Sequence, residues 1–194
     1  MNGILEKEQQ QLKTDLSSYN NSWYKTGAGS VKMALWYFVN VLFFINPLNP
    51  ISTLKVFLLR LFGAKIGKGV VIKPTVNIKY PWLLEIGDQV WIGEKVWIDN
   101  LALVRIGNNC CLSQGAMLLC GNHNYKRPSF DLIVKPITLE EGAWVGAFSI
   151  VCPGVTLKSH AVLTVQSVAT ETLDAYTLYK GNPAVKLRDR IMTI

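Results

Sequence analysis

Only two histidines occur in the chain, His123 and His160. Imidazole exchanges a proton near neutral pH, so either is a candidate general base toward a weak nucleophile such as a hydroxyl. His123 stands in Gly121-Asn122-His123-Asn124, where a regular pattern breaks off, a place for an exposed functional residue. His160 lies inside a regular repeat beside Ala161 and reads as an outward-facing bystander. Two histidines exclude a three-histidine metal centre within one chain, no CxxC occurs, and no metal is expected. Cys120, three residues before His123, raises the alternative of a Cys–His nucleophile pair. Its place in an aliphatic repeat favours packing instead.

The pattern around these residues has a period of six. Ile66-Gly67-Lys68-Gly69-Val70-Val71 is followed by restarts at Ile72, Ile78, Ile86, Ile92, Ile98, Ile106, Leu112 and Leu118. After a gap it resumes at Leu139, Val145, Val151, Leu157 and Leu163, fourteen hexads in all. Six residues suit one flat side of a triangular coil with three hexads per turn. The aliphatic residue then points inward and stacks on its equivalent in the next coil. The small fifth residue (Val90, Val96, Cys110, Ala116, Ala143, Ser149, Val155, Ala161) fits the tight interior near a corner. Glycine at position two is expected to permit the corner backbone. Coil starts at 66, 86, 106, 139 and 157 are 20, 20, 33 and 18 residues apart, so a loop leaves the coil at about 124–136. His123 is at its root.

Hydrophobic residues make up 49% of the sequence and charged residues 17%, a mix that excludes intrinsic disorder. The net charge of +7 points to an anionic partner, a phosphorylated cofactor or a membrane surface, or to a basic solubilising surface. No nucleic-acid motif accompanies it, and nucleic acid is not an expected partner. Residues 1–30 read as a polar, mobile or loosely docked leader with no apolar secretory region, so a reducing, cytoplasmic setting with free thiols is expected. Residues 31–63 form an apolar helical segment, broken by Asn40 and by Pro47 and Pro50. Two short helices that cap the main fold are the first reading. Trp36, Tyr37 and Phe38 among basic residues give the alternative of peripheral contact with the inner membrane face. Residues 64–176 hold the repeat, and 177–194 read as a C-terminal tail.

The hexads resemble those of the hexapeptide-repeat acyltransferases. The resemblance narrows at Trp91-Ile92-Gly93-Glu94 through Trp97-Ile98-Asp99-Asn100, and at Ser113-Gln114-Gly115-Ala116 leading to Cys120-Gly121-Asn122-His123-Asn124-Tyr125. It narrows again at Pro136-Ile137 through Trp144-Val145-Gly146-Ala147, Pro153-Gly154-Val155 and Gly181-Asn182-Pro183-Ala184. Together these look like the sugar O-acetyltransferases, most like the branch associated with colanic acid and other exopolysaccharides, over residues 66–190. The resemblance implies an all-β fold, a left-handed parallel β-helix with short N-terminal helices and an extended loop. It implies acetyl transfer from acetyl-CoA to a sugar hydroxyl, with His123 as base and no acyl-enzyme. It implies a homotrimer whose active sites lie between subunits. By the same resemblance the Gly146-Ala147 turn supplies an oxyanion N–H, and Ala147, Val165 and Thr170 line the cofactor groove. Lys180, Lys186 and Arg188 would meet the cofactor phosphates, with Glu171 standing where relatives often carry lysine. Asp99, Asn100, Asp131 and Trp144 are the candidate acceptor contacts, Arg127 lies in the same loop as Asp131, and Trp82, Trp91 and Trp97 serve either a sugar or a subunit contact. For Asp99 and Asn100 the competing reading is a corner that satisfies backbone groups. N-acetylation of an amino sugar and a non-catalytic, membrane-associated β-helix scaffold are the alternatives. A γ-class carbonic anhydrase lacks its third histidine here.

Overall fold

The computed structural model describes residues 12–193. Its body is a left-handed parallel β-helix of five complete coils and part of a sixth, each coil contributing one short strand to each of three faces. The first face runs Lys65–Ile66, Leu84–Ile86, Val104–Ile106, Ile137–Leu139 and Thr156–Leu157. The second runs Val71–Ile72, Trp91–Ile92, Cys111–Leu112, Trp144–Val145, Val162–Leu163 and Thr177–Gly181. The third runs Asn77–Ile78, Trp97–Asp99, Met117–Leu119, Ile150–Val151 and Val168–Ala169.

Register follows from side-chain alternation. Ile66, Ile86, Ile106, Leu139 and Leu157 stack on the first face; Ile72, Ile92, Leu112, Val145, Leu163 and Tyr179 on the second. Ile78, Ile98, Leu118, Val151 and Ala169 stack on the third. Apart from the end residue Ile66 these columns are buried, and so is every small fifth-position residue named above. Burying a column side chain is worth about 1.5–3 kcal/mol, so the repeat itself supplies the core.

The glycine expectation needs correction. Gly87, Gly93, Gly107 and Gly146 are absent from the positive-φ residues. They are required because the next coil passes too close: a Cβ on Gly146 would lie 2.7 Å from Leu163 O, Thr164 C and Val165 N. The left-handed backbone falls two positions later, on Gln89, Lys95, Asn109, Phe148, His160 and Gln166. At two of these corners a glycine lies beneath a ring of the next coil. The Phe148 ring covers Gly115, the His160 ring covers Gly142, and His160 in turn stacks on Tyr176 at 4.7 Å.

Two ten-residue helices, α1 (Ser30–Val39) and α2 (Ser52–Leu61), close the N-terminal end, joined through a π-helical turn at Asn40–Ile45. An open β-edge leaves unpaired peptide groups, and the cap satisfies them face by face. Arg60 donates to Ile66 O and Gly67 O on the first face. On the second, Lys55 donates to Lys73 O at 2.9 Å, and Ser52 accepts from Ile72 N–H. On the third, Trp36 Nε1 donates to Ile78 O and Asn40 to Asn77 Oδ1. Trp36, Phe44 and Leu59 complete the seal.

The leader is docked where it is described, residues 1–11 lying outside the described part. Tyr24 donates to Leu101 O, Asp15 N–H to Pro128 O, and Trp82 Nε1 to Thr26 O. The segment read as a C-terminal tail is instead a hairpin, Thr177–Gly181 with Ala184–Asp189, that extends the second face. Tyr179 continues the Leu163 column and Arg190 donates to Gly142 O and His160 O. All four cysteines are free thiols.

Candidate active site

After Leu119 the third coil turns outward rather than closing. Cys120 is fully buried, and burial pushes its thiol up to about 11. At neutral pH it is a packed thiol, not a nucleophile. The thirteen-residue excess then folds as a hairpin, Gly121–His123 against Leu132–Val134, with His123 opposite Leu132. Its tip is tied by Asn124 N–H to Asp131 O, Ser129 Oγ to Asp131 Oδ1 and Arg127 to Asp131 Oδ2. These two side chains hold the Asp131 carboxyl below the usual carboxylate range. Asp131 therefore shapes the loop.

His123 is held on two sides by Phe130. The rings stack at 4.4 Å and 7°, and Nδ1 lies 2.9 Å from Phe130 O. A carbonyl only accepts, so Nδ1 carries a proton, and in the neutral ring the lone pair is on Nε2. Phe130 adopts φ 51°, a left-handed conformation uncommon for a bulky residue, which aims that carbonyl back at the ring. Tyr19 of the leader leans on the imidazole at 5.7 Å. Sequence reasoning missed both partners, because neither Tyr19 nor Phe130 carries a motif. His160 is unlike this: it stacks between coils with Ser159 Oγ on Nδ1.

The remaining candidates fall into three places. Ala147 and Val165 share the corner between the second and third faces, one coil apart. Gly146 N–H is already spent on Leu163 O at 2.7 Å, whereas the N–H groups of Ala147 and Val165 have no acceptor among the described residues. Trp144, three residues before Ala147, donates Nε1 to Ser113 Oγ and lines a groove of about 390 Å³ with Arg188, Val162 and Leu178. Lys180 and Lys186 lie on the same hairpin as Arg188, Lys186 paired with Asp189 at 2.9 Å. Thr170 is exposed at the opposite edge of the third face, away from Ala147 and Val165.

Asp99 and Asn100 separate in role. Asn100 is fully buried, donating to Tyr80 O and Leu83 O and accepting from Tyr80 N–H. It is a corner that satisfies backbone groups and has no polar atom left for an acceptor. Asp99 meets Lys79 at 2.9 Å and borders a cavity of about 410 Å³ lined by Trp36, Tyr37, Asn40, Tyr80 and Trp97. A Cβ at Gly121 would come within 3.8 Å of its carboxylate, so Asp99 reaches the root of the His123 hairpin. Trp82 is committed to the leader: it bonds Thr26 O, stacks on Tyr80 and carries Lys32 over its ring.

His123 and Ala147 occupy different corners, with the third face between them. Six extended residues span roughly 20 Å, so one chain does not bring the base to the free N–H. The outward columns offer a reason. Those of the second face (Val71, Trp91, Cys111, Trp144, Val162, Leu178) and of the third beyond Asn77 (Trp97, Met117, Ile150, Val168) are apolar, while the first presents Lys65, Glu85 and Arg105 in a salt-bridged ladder. The depression of about 590 Å³ over that ladder is lined by these ion pairs, by Glu140, which accepts from Ser159 N–H, and by Glu141, which accepts from Asn109 Nδ2, with no histidine.

The solenoid with one hairpin interruption places the chain among the left-handed parallel β-helices. The chain belongs to the hexapeptide-repeat acetyltransferases. It is 37% identical over 179 residues, 92% of its length and 98% of the other's, to an Escherichia coli K12 protein provisionally named colanic acid biosynthesis acetyltransferase WcaF. No family model matches it. A hexapeptide-repeat acetyltransferase of Vibrio cholerae superposes with TM-score 0.76 at 21% identity, covering 86% of this chain and 96% of that one. The same protein has been solved with acetyl-CoA, with TM-score 0.75, 22% identity and 86% and 92% coverage. A maltose O-acetyltransferase from Clostridium difficile 630 superposes with TM-score 0.70 at 19% identity, over 84% of this chain and 88% of that one.

Proposed function

We propose that the protein transfers an acetyl group from acetyl-CoA directly to a sugar hydroxyl in exopolysaccharide or related glycan synthesis. The observation that carries this reading is the contact of His123 Nδ1 with Phe130 O at 2.9 Å, which directs Nε2 of the neutral ring to act as the base. Nε2 removes the hydroxyl proton as the oxygen attacks the thioester carbon. The oxyanion is stabilised by the Ala147 N–H. Collapse breaks the C–S bond, and the proton passes from His123 to the departing thiolate. Val165 offers its N–H to a pantetheine amide carbonyl, while Arg188 and Lys180 meet the phosphates. Asp99 and the aromatic cavity beside it receive the acceptor.

The separation of His123 from Ala147 and the two apolar outer columns support a homotrimer, in which one subunit brings the hairpin and its neighbour the free N–H. The acetyl-CoA complex of the Vibrio cholerae neighbour and the names of the Escherichia coli and Clostridium difficile proteins support donor and acceptor class.

His123→Ala tests the mechanism. Acetyl transfer to soluble sugars, followed by thiol release, should lose about 10²–10⁴ in kcat with little change in KM for acetyl-CoA. Near-normal turnover would rule out the base.

A further inference from the structure

The cap at the N-terminal end has a second side that the β-helix does not use. Between residues 31 and 61 eleven large apolar side chains are at least 39% exposed, among them Val31, Leu35, Phe38, Leu42, Leu48 and Phe57. The inward-facing residues of the same segment, Trp36, Phe44 and Leu59, are buried on the coil, whereas the outward side of α1 leaves Val31, Leu35, Tyr37 and Phe38 exposed. A contiguous exposed apolar patch of this kind marks an interaction surface.

Charge says with what. From residue 16 to residue 84 the chain has eight lysines or arginines and no carboxylate, a local charge of +8 against +7 for the whole molecule. Lys65 and Lys79 are paired with Glu85 and Asp99, and Lys55 of α2 is buried against the coil, while Lys68 and Lys73 remain exposed and Lys32 of α1 lies over Trp82. Two copies joined cap to cap would bring two such segments together. An anionic lipid surface instead matches both properties, apolar side chains entering the interface and cations meeting headgroups. The ten-residue helices are too short to cross a bilayer, and no described helix is long and apolar enough to do so. We infer that the outer side of the α1–α2 cap is a docking surface for anionic phospholipid, lying on the bilayer rather than in it.

The test is sedimentation of the full chain with phosphatidylcholine vesicles and with vesicles that also contain phosphatidylglycerol. The parent should bind the anionic vesicles and be released by salt. Replacing three exposed residues together, Leu35→Gln, Phe38→Gln and Leu42→Gln, should weaken binding about tenfold or more. The melting curve and acetyl transfer to a soluble acceptor should not change. Equal binding by parent and variant would overturn the inference, as would equal binding to neutral vesicles. A larger vesicle-free assembly that the variant dissolves would assign the surface to a second copy. Vesicle binding is read separately from turnover, so its failure leaves the catalytic proposal standing.

Discussion

A single methyl group at Gly146 should force the fourth and fifth coils apart. An alanine Cβ would sit 2.7 Å from three backbone atoms, Leu163 O, Thr164 C and Val165 N, and no side chain can swing away to relieve it. Ordinary contact at about 3.5 Å requires the corner to open by roughly 0.8 Å. That overpacking costs about 1–3 kcal/mol. Weakening the 2.7 Å bond from Gly146 N–H to Leu163 O adds about 1 kcal/mol. A loss of about 2–4 kcal/mol in a chain of this size lowers Tm by about 4–16 °C. The same opening displaces the N–H groups of Ala147 and Val165. If they contact the donor, kcat should fall about tenfold or more, since a shift near 1 Å in a positioned group costs up to about 100-fold. Thermal melting by circular dichroism and steady-state kinetics with acetyl-CoA read the two effects. Gly29→Ala is the control, because a Cβ there meets nothing within 4 Å. A Gly146→Ala Tm no lower than that of Gly29→Ala, which loses only a favoured N-cap residue of α1, would refute the close-approach argument.

Cys120→Ala should retain most turnover, and iodoacetamide at neutral pH should label Cys120 only after unfolding, because burial holds the thiol protonated up to about 11. Loss of activity with an unchanged melt would revive covalent catalysis. Asn100→Asp should destabilise by about 3 kcal/mol or more, since a carboxylate would face Tyr80 O and Leu83 O without water. A Tm drop of about 6–12 °C checks this, and an unchanged Tm would show that the corner is open to solvent.

Much of the solenoid was legible because each hexad repeats one demand. Leu118 and Val145 are buried for the same reason as Ile92, so one reading covers fourteen positions. The register break placed the hairpin for the same reason. What stayed hidden depends on unique partners. Lys55 carries no motif within a short apolar helix, yet it ends buried on Ile72 O and Lys73 O, because the first coil has no preceding coil to donate there. Phe130 and Tyr19 have no spacing rule linking them to His123. Thr170 and Ala147 looked alike as groove residues, but a triangular section puts them on different edges. The C-terminal hairpin was missed because Thr177–Gly181 joins the second face without a complete hexad before it.

A repeat this regular leaves a problem of bookkeeping along the axis. Sliding the chain by one whole coil would exchange one aliphatic for another in every inward column, and the core would barely register the error. The pairs Gly115 with Phe148 and Gly142 with His160 break that degeneracy. Each ring has a glycine beneath it, and a displaced coil would set Phe148 or His160 over a residue that has a Cβ. They act as keys that fit only one lock in the stack. A bulky residue at 115 should therefore be tolerated only where residue 148 becomes small, so substitutions at these sites should be exchangeable in pairs and harmful alone.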